Sequence, residues 1–81
     1  MQEARIVIVE DEEDIRELIQ YHLEREGWRV TAVADGAKGL ATVLREVPDL
    51  VLLDLMMPGM DGLEVCREIR ADDRVAHVPV L

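Results

Sequence analysis

Two stretches decide the fold: Ile6-Val7-Ile8-Val9-Glu10-Asp11 and Leu50-Val51-Leu52-Leu53-Asp54. Each is a short apolar run that stops abruptly at acids. A run that is apolar at every position, not every second one, is a strand buried on both faces, as in a parallel sheet. Between the runs the period changes. From Glu12, Ile15, Leu18, Ile19 and Leu23 recur at helical spacing, and Gly27 supplies a C-terminal stop. Trp28 to Ala34 alternates weakly and is rich in β-branched residues, which predicts a second strand.

Outward from there, Asp35-Gly36 opens a helix with Ala37, Leu40, Ala41 and Leu44 on one face, and Pro48 closes the connection behind it. After Asp54 comes a loop, Leu55-Met56-Met57-Pro58-Gly59-Met60, and then Asp61 as N-cap of a third helix. Leu63, Cys66 and Ile69 are its expected inner stripe. Asp72 to His77 reads as a polar connection, and Val78-Pro79-Val80-Leu81 as the start of a fourth strand. The order βαβαβαβ predicts an α/β fold, a doubly wound parallel sheet with strand order 2-1-3-4.

Composition narrows the function. Eighty-one residues make one small domain, residues 1–81, with no second domain expected. The 18 acids against 9 basic residues give a net charge of −9, which argues against nucleic-acid contact by this segment. The lone Cys66 can form no internal disulfide, and no apolar run is long enough to span a bilayer. A cytoplasmic, soluble protein without membrane contact is the expectation.

In open α/β sheets ligands bind beyond the carboxyl ends of the strands, where the strand order reverses. Glu10-Asp11 ends the first strand and Asp54 ends the third, so adjacent strands bring three carboxylates to one crevice. A hard divalent cation relieves their repulsion, and Mg²⁺ suits a few carboxylates plus water and phosphate oxygens. Asp54 is then a nucleophile toward phosphorus. The neighbouring acids Glu12, Glu13 and Asp14 have a simpler role in the first helical turn, where the helix dipole favours negative charge. A turn residue would account for Asp54 alone; the two strand ends together carry the reading.

Ile6-Val7-Ile8-Val9-Glu10-Asp11-Glu12, Leu52 through Gly62 and Val78-Pro79-Val80 resemble the receiver domains of two-component response regulators, in the class with a winged-helix DNA-binding domain. The resemblance runs in order through all 81 residues. It implies a flavodoxin-like fold, a non-enzymatic signalling role in transcription regulation, and Asp54 as phosphoacceptor for a sensor histidine kinase. It also implies that Glu10, Asp11, Asp54 and the backbone carbonyl of Met56 hold Mg²⁺. Receivers continue to a Ser or Thr, an aromatic switch residue and a Lys that follow the present stretch. Residues 1–81 are therefore expected to be the N-terminal two-thirds of a receiver, lacking the last strand and helices. Lys38, on the second helix, is not a substitute for that Lys. Phosphorylation of Asp54 is expected to be impaired accordingly.

Other features take simpler readings. Cys66 is expected to be a buried, inert thiol; His22 and His77 lack ligand partners at metal-site spacing. Trp28 and the cluster Met56, Met57 and Met60 read as packing. A haloacid dehalogenase-type phosphatase would need an Asp two residues after the nucleophile, where Met56 stands. A Rossmann domain would need a Gly-rich turn after the first strand, where acids stand. The alternative is a signalling-impaired fragment that self-associates as a homo-oligomer, through an exposed sheet edge or the receiver face beside the first helix.

Overall fold

A computed structural model describes residues 3–54, Met57 and residues 61–81. Strand β1 (Arg5–Val9) lies at the centre of a parallel sheet, between β2 (Arg29–Val33) and β3 (Leu50–Leu53). Its register sets Val9 beside Val33 on one side and Leu53 on the other. The order is therefore β2-β1-β3, as expected. The predicted fourth strand is present as one parallel bridge, Val51 to Val80, on the outer edge of β3. Three hydrogen bonds fasten it: the Val51 amide donates to the Pro79 carbonyl, the Leu53 amide to the Leu81 carbonyl and the Leu81 amide to the Val51 carbonyl, each at 2.9 Å.

Because side chains alternate along a strand, Ile6 and Ile8 face helix α1 (Glu13–Arg25), and Val7 and Val9 face the other layer. That layer is α2 (Gly36–Glu46) and α3 (Gly62–Ala71), packed on each other. All four of these strand residues are at most 1% exposed. At about 1.5–3 kcal/mol per buried aliphatic side chain, β1 alone supplies a large share of the apolar stabilisation. Val43, Val51, Leu53, Met57, Val65, Ile69, Val75 and Val78 complete the core on the α2/α3 side.

The helix ends follow local chemistry. Asp35 and Asp61 cap α2 and α3, their carboxylates accepting from the amides of Lys38 (2.8 Å) and Glu64 (2.9 Å). Gly27, at φ 95°, ends α1. The Gly27 amide donates to Glu24 O and the Trp28 amide to Leu23 O, the paired bonds of a Schellman motif.

Three expected inner stripes need correcting. On α1, Ile19 and Leu23 are half-buried, while Ile15 and Leu18 are exposed. On α2 the buried residues are Gly36, Gly39, Thr42 and Val43; Ala37 and Ala41 are exposed, and Leu40 and Leu44 flank the core. The reason is a close approach: a Cβ on Gly39 would sit 2.6 Å from a Val9 methyl, so the helix rests on its glycines. On α3, Gly62, Val65 and Ile69 are buried, Leu63 is exposed, and Cys66 is half-buried, not fully buried as expected. The polar connection after α3 also hides Val75, which is fully buried. Arg70 ties that connection down by donating to the carbonyls of Ala76 (2.9 Å) and Val78 (2.8 Å).

Two stability measurements follow from this geometry. Gly39→Ala gains about 1 kcal/mol of helix propensity but overpacks Val9, at a cost of about 1–3 kcal/mol. Denaturant unfolding should show net destabilisation, relieved in part by adding Val9→Ala. Val47 caps α2 in the left-handed region at φ 46°, a β-branched residue where glycine is favoured. Val47→Gly should raise the unfolding free energy by about 1 kcal/mol.

Candidate functional site: an acidic cluster at the strand ends

Backbone hydrogen bonds carry the sheet past the last strand residues and fix where the acids stand. The Glu10 amide donates to Val33 O (3.1 Å) and the Asp54 amide to Val9 O (3.0 Å). Glu10 and Asp54 are thereby held side by side, one residue beyond the Val9–Leu53 pair. Asp11 follows on the exposed turn into α1. One carboxylate oxygen from each of Glu10, Asp11 and Asp54 lies within 4.8 Å of the other two.

Glu10 is the most constrained of the three. Partial burial raises its carboxyl above the ordinary value, and the Glu12 amide, donating to Oε2 at 3.1 Å, pulls the other way. The charge of Asp54, and the side chains of Asp11 and Asp54 within hydrogen-bonding reach, raise it further. Glu10 therefore holds its proton more tightly than an ordinary carboxyl, first through burial and then through the nearby charge of Asp54.

Arg16 is part of this site and was not singled out in the sequence. Its Nη1 donates to Glu10 O at 3.0 Å and, at a long 3.5 Å, to Asp11 O. The guanidinium thus braces the backbone of the turn and leaves the carboxylates directed elsewhere. A cation one turn into a helix that follows two acids was the available signal. Beside the cluster, Ile8, Ile19, Leu52 and Leu81 line an apolar cleft of about 260 Å³ that Glu10 and Asp54 border. His22 and His77 are not in the acidic group. The expected ligand carbonyl of Met56 lies outside the described residues, as do Leu55, Pro58, Gly59 and Met60.

The residues present fit a small hard cation. Oxygens bound to one Mg²⁺ at about 2.1 Å lie at most about 4.2 Å apart, so only slight side-chain closure is needed. An all-oxygen donor set matches that ion, and among the described residues no Cys or His belongs to the group.

Fold and site together define a parallel α/β module with an acidic cluster where its strand order reverses. Residues 6–81 match the response regulator receiver domain. The chain is 44% identical over 77 residues to the DNA-binding dual master transcriptional regulator RpaA of Synechocystis, covering 95% of this chain and 32% of that protein. It is 45% identical over 73 residues to the transcriptional regulatory protein CseB of Streptomyces coelicolor, covering 90% of this chain and 31% of that protein. It thus spans about a third of the length of each of these two relatives. Among solved structures, the receiver domain of the sensor histidine kinase PA1611 from Pseudomonas aeruginosa superposes with a TM-score of 0.92 at 35% identity. That likeness covers 98% of this chain and 65% of that one, which holds a magnesium ion coordinated in its active site cleft. The chain belongs to the response regulator receiver domain family.

The raised Glu10 carboxyl has a measurable consequence. A carboxyl whose folded pKa is raised destabilises the folded state above that pKa, and the penalty disappears as pH falls below the unfolded value. Without divalent cations, this site should lose stability as pH rises through Glu10's raised range. Asp54→Asn should weaken that dependence in part only, since burial is its larger cause and the Asp54 charge a smaller one. The Glu10 carboxyl resonance in the variant should titrate lower than in the parent chain.

Proposed function

We propose that the chain is the phosphoacceptor part of a two-component response regulator, in which Asp54 takes a phosphoryl group from the phosphohistidine of a sensor kinase. The observation that carries this is the convergence of Glu10, Asp11 and Asp54 within 4.8 Å at the strand-order reversal of a receiver fold. An Asp54 carboxylate oxygen attacks phosphorus in line, the phosphorus–nitrogen bond breaks, and the imidazole nitrogen leaves with the electron pair. Backbone pairing to Val9 holds Asp54 at the strand end, and Arg16 fixes the turn that presents Glu10 and Asp11. Glu10, Asp11 and Asp54, with the carbonyl of Met56, are the residues we assign to Mg²⁺. When bound, the ion supplies positive charge that offsets the phosphoryl oxygens.

The role is that of a signalling module, not an enzyme. Residues 1–81 correspond to about the first two-thirds of a receiver, supported by the 65% coverage of the PA1611 domain. The names of RpaA and CseB support a place in transcription control. The net charge of −9 supports assigning any DNA contact to other parts of such a regulator. A kinase partner of this kind supports a cytoplasmic location; no helix among the described residues is long and apolar enough to cross a membrane.

A second reading, self-association with weak signalling, is favoured by the apolar cleft at Ile19, Leu52 and Leu81 and by the single-bridge pairing of Val80. One experiment separates the two. Incubation with Mg²⁺ and a small phosphodonor, followed by intact-mass measurement, should show slow gain of one phosphoryl group that disappears in Asp54→Asn and without Mg²⁺. Labelling that persists in Asp54→Asn would overturn the assignment of the acceptor. No labelling, together with concentration-dependent association, would leave the self-association reading standing in its place.

A further inference from the structure

Arg16 stands one turn into α1, and its guanidinium reaches back across the start of the helix. Nη1 donates to Glu10 O at 3.0 Å and, more weakly, to Asp11 O at 3.5 Å; the shorter bond is partly buried. The choice of partners is unusual. Glu12 and Glu13 lie four and three residues earlier, the spacings at which an arginine on a helix pairs with an acid. Among the described residues the ion pairs are Arg45 with Glu46 and Arg74 with Asp72. Arg16 therefore passes over both carboxylates in favour of two backbone carbonyls. Nor does the helix favour a cation there, since its amino-terminal end carries partial positive charge.

The two bonds hold the backbone that carries two of the three acids. The Glu10 amide is fixed on β2 through Val33 O at 3.1 Å, and Arg16 takes the carbonyl of the same residue, so Glu10 is tied on both sides. The Glu12 amide closes on Glu10 Oε2 at 3.1 Å within the same turn. Asp54 reaches the site from β3 by its own amide bond to Val9 O at 3.0 Å. The brace thus acts on the Glu10–Asp11 side alone.

Rigidity of that kind discriminates between cations. Mg²⁺ requires near-octahedral oxygens at about 2.1 Å, whereas Ca²⁺ accepts irregular sets at about 2.3–2.6 Å. The three carboxylates, within 4.8 Å of one another, must close further for the smaller ion. We propose that Arg16 is a positioning residue for the cation: by holding the carbonyls of Glu10 and Asp11 it presets their carboxylates for Mg²⁺ and disfavours a larger ion such as Ca²⁺. This role rests on the assignment of Glu10, Asp11 and Asp54 to Mg²⁺ and adds to it the source of the site's selectivity.

A charge effect and a positioning effect have opposite signs here. A guanidinium beside three acids repels a divalent cation, so as a bare charge its removal would strengthen the binding of both ions. As a brace, its removal weakens Mg²⁺ most. Titration of the isotope-labelled chain with Mg²⁺ and with Ca²⁺, read from the amide resonances of Glu10, Asp11 and Asp54, separates the two, with circular dichroism to confirm folding. Arg16→Met should weaken Mg²⁺ binding roughly tenfold, the scale for losing a group that orients a metal ligand, and Ca²⁺ binding clearly less. Arg16→Lys, which keeps the charge and can reach one carbonyl, should fall between parent and Arg16→Met; its Mg²⁺-to-Ca²⁺ affinity ratio decides the matter if Arg16→Met is unfolded. Without metal, the Glu10 and Glu12 amides should exchange with solvent faster in Arg16→Met, while Val7 and Val51 stay protected. Equal or tighter Mg²⁺ binding by Arg16→Met overturns the proposal, as does a loss shared equally by the two ions. A parent chain whose Glu10, Asp11 and Asp54 resonances do not respond to Mg²⁺ overturns the site assignment as well.

Discussion

Strand β1 has neither a free edge nor a free face, and the other elements are arranged by that condition. Its hydrogen-bonding groups are taken by β2 and β3, and its side chains are covered by α1 on one side and by α2 and α3 on the other. Parallel neighbours on both edges require crossovers, and each crossover delivers a helix to a face. The strand can end only where polarity returns, and at that point the sequence has Glu10 and Asp11. Pairing continues one residue further on each side, so Asp54 is carried to Glu10 by the same hydrogen bonds that build the sheet. The acidic cluster is thus a consequence of register, with no need for a dedicated loop among the described residues.

Ionised Glu10 is costly where it stands, because burial first and the nearby charge of Asp54 second raise its carboxyl. The core offsets that cost. Ile6, Val7, Ile8, Val9 and Val51 are essentially removed from water, and α2 approaches near enough that Gly39 touches Val9. Stability is concentrated in the middle of the sheet and repulsion at its carboxyl end. That distribution lets the acidic end rearrange locally while the packed centre stays intact.

Much of this was legible in the sequence, for identifiable reasons. The all-apolar runs ending in acids marked the central strands, and Gly27, Asp35 and Asp61 marked helix ends through their own backbone and capping chemistry. The converging acids Glu10, Asp11 and Asp54 followed once strand order was inferred from the βα alternation. Helix faces were less legible. Periodicity alone could not choose between Gly36-Gly39-Val43 and Ala37-Ala41-Leu44 on α2, because a close helix–sheet approach favours the residues with the smallest apolar content. The same ambiguity hid the outward position of Leu18, and Leu63 was misplaced on α3 for want of any neighbour to test it against. Arg16 was missed because its role is toward backbone carbonyls, which no side-chain pattern announces.

The central claim is that three specific acids, out of the 18 in the chain, form one cation site. Titration of isotope-labelled protein with Mn²⁺ in place of Mg²⁺ tests this most directly, because the paramagnetic ion broadens only nearby amide resonances. The account predicts that Glu10, Asp11 and Asp54 broaden first, that Arg5 and Arg29 at the far end of the sheet stay sharp, and that excess Mg²⁺ reverses the effect. Broadening spread evenly over the acids of α1, such as Glu13, Glu17 and Glu24, with no preference for the strand ends, would contradict it.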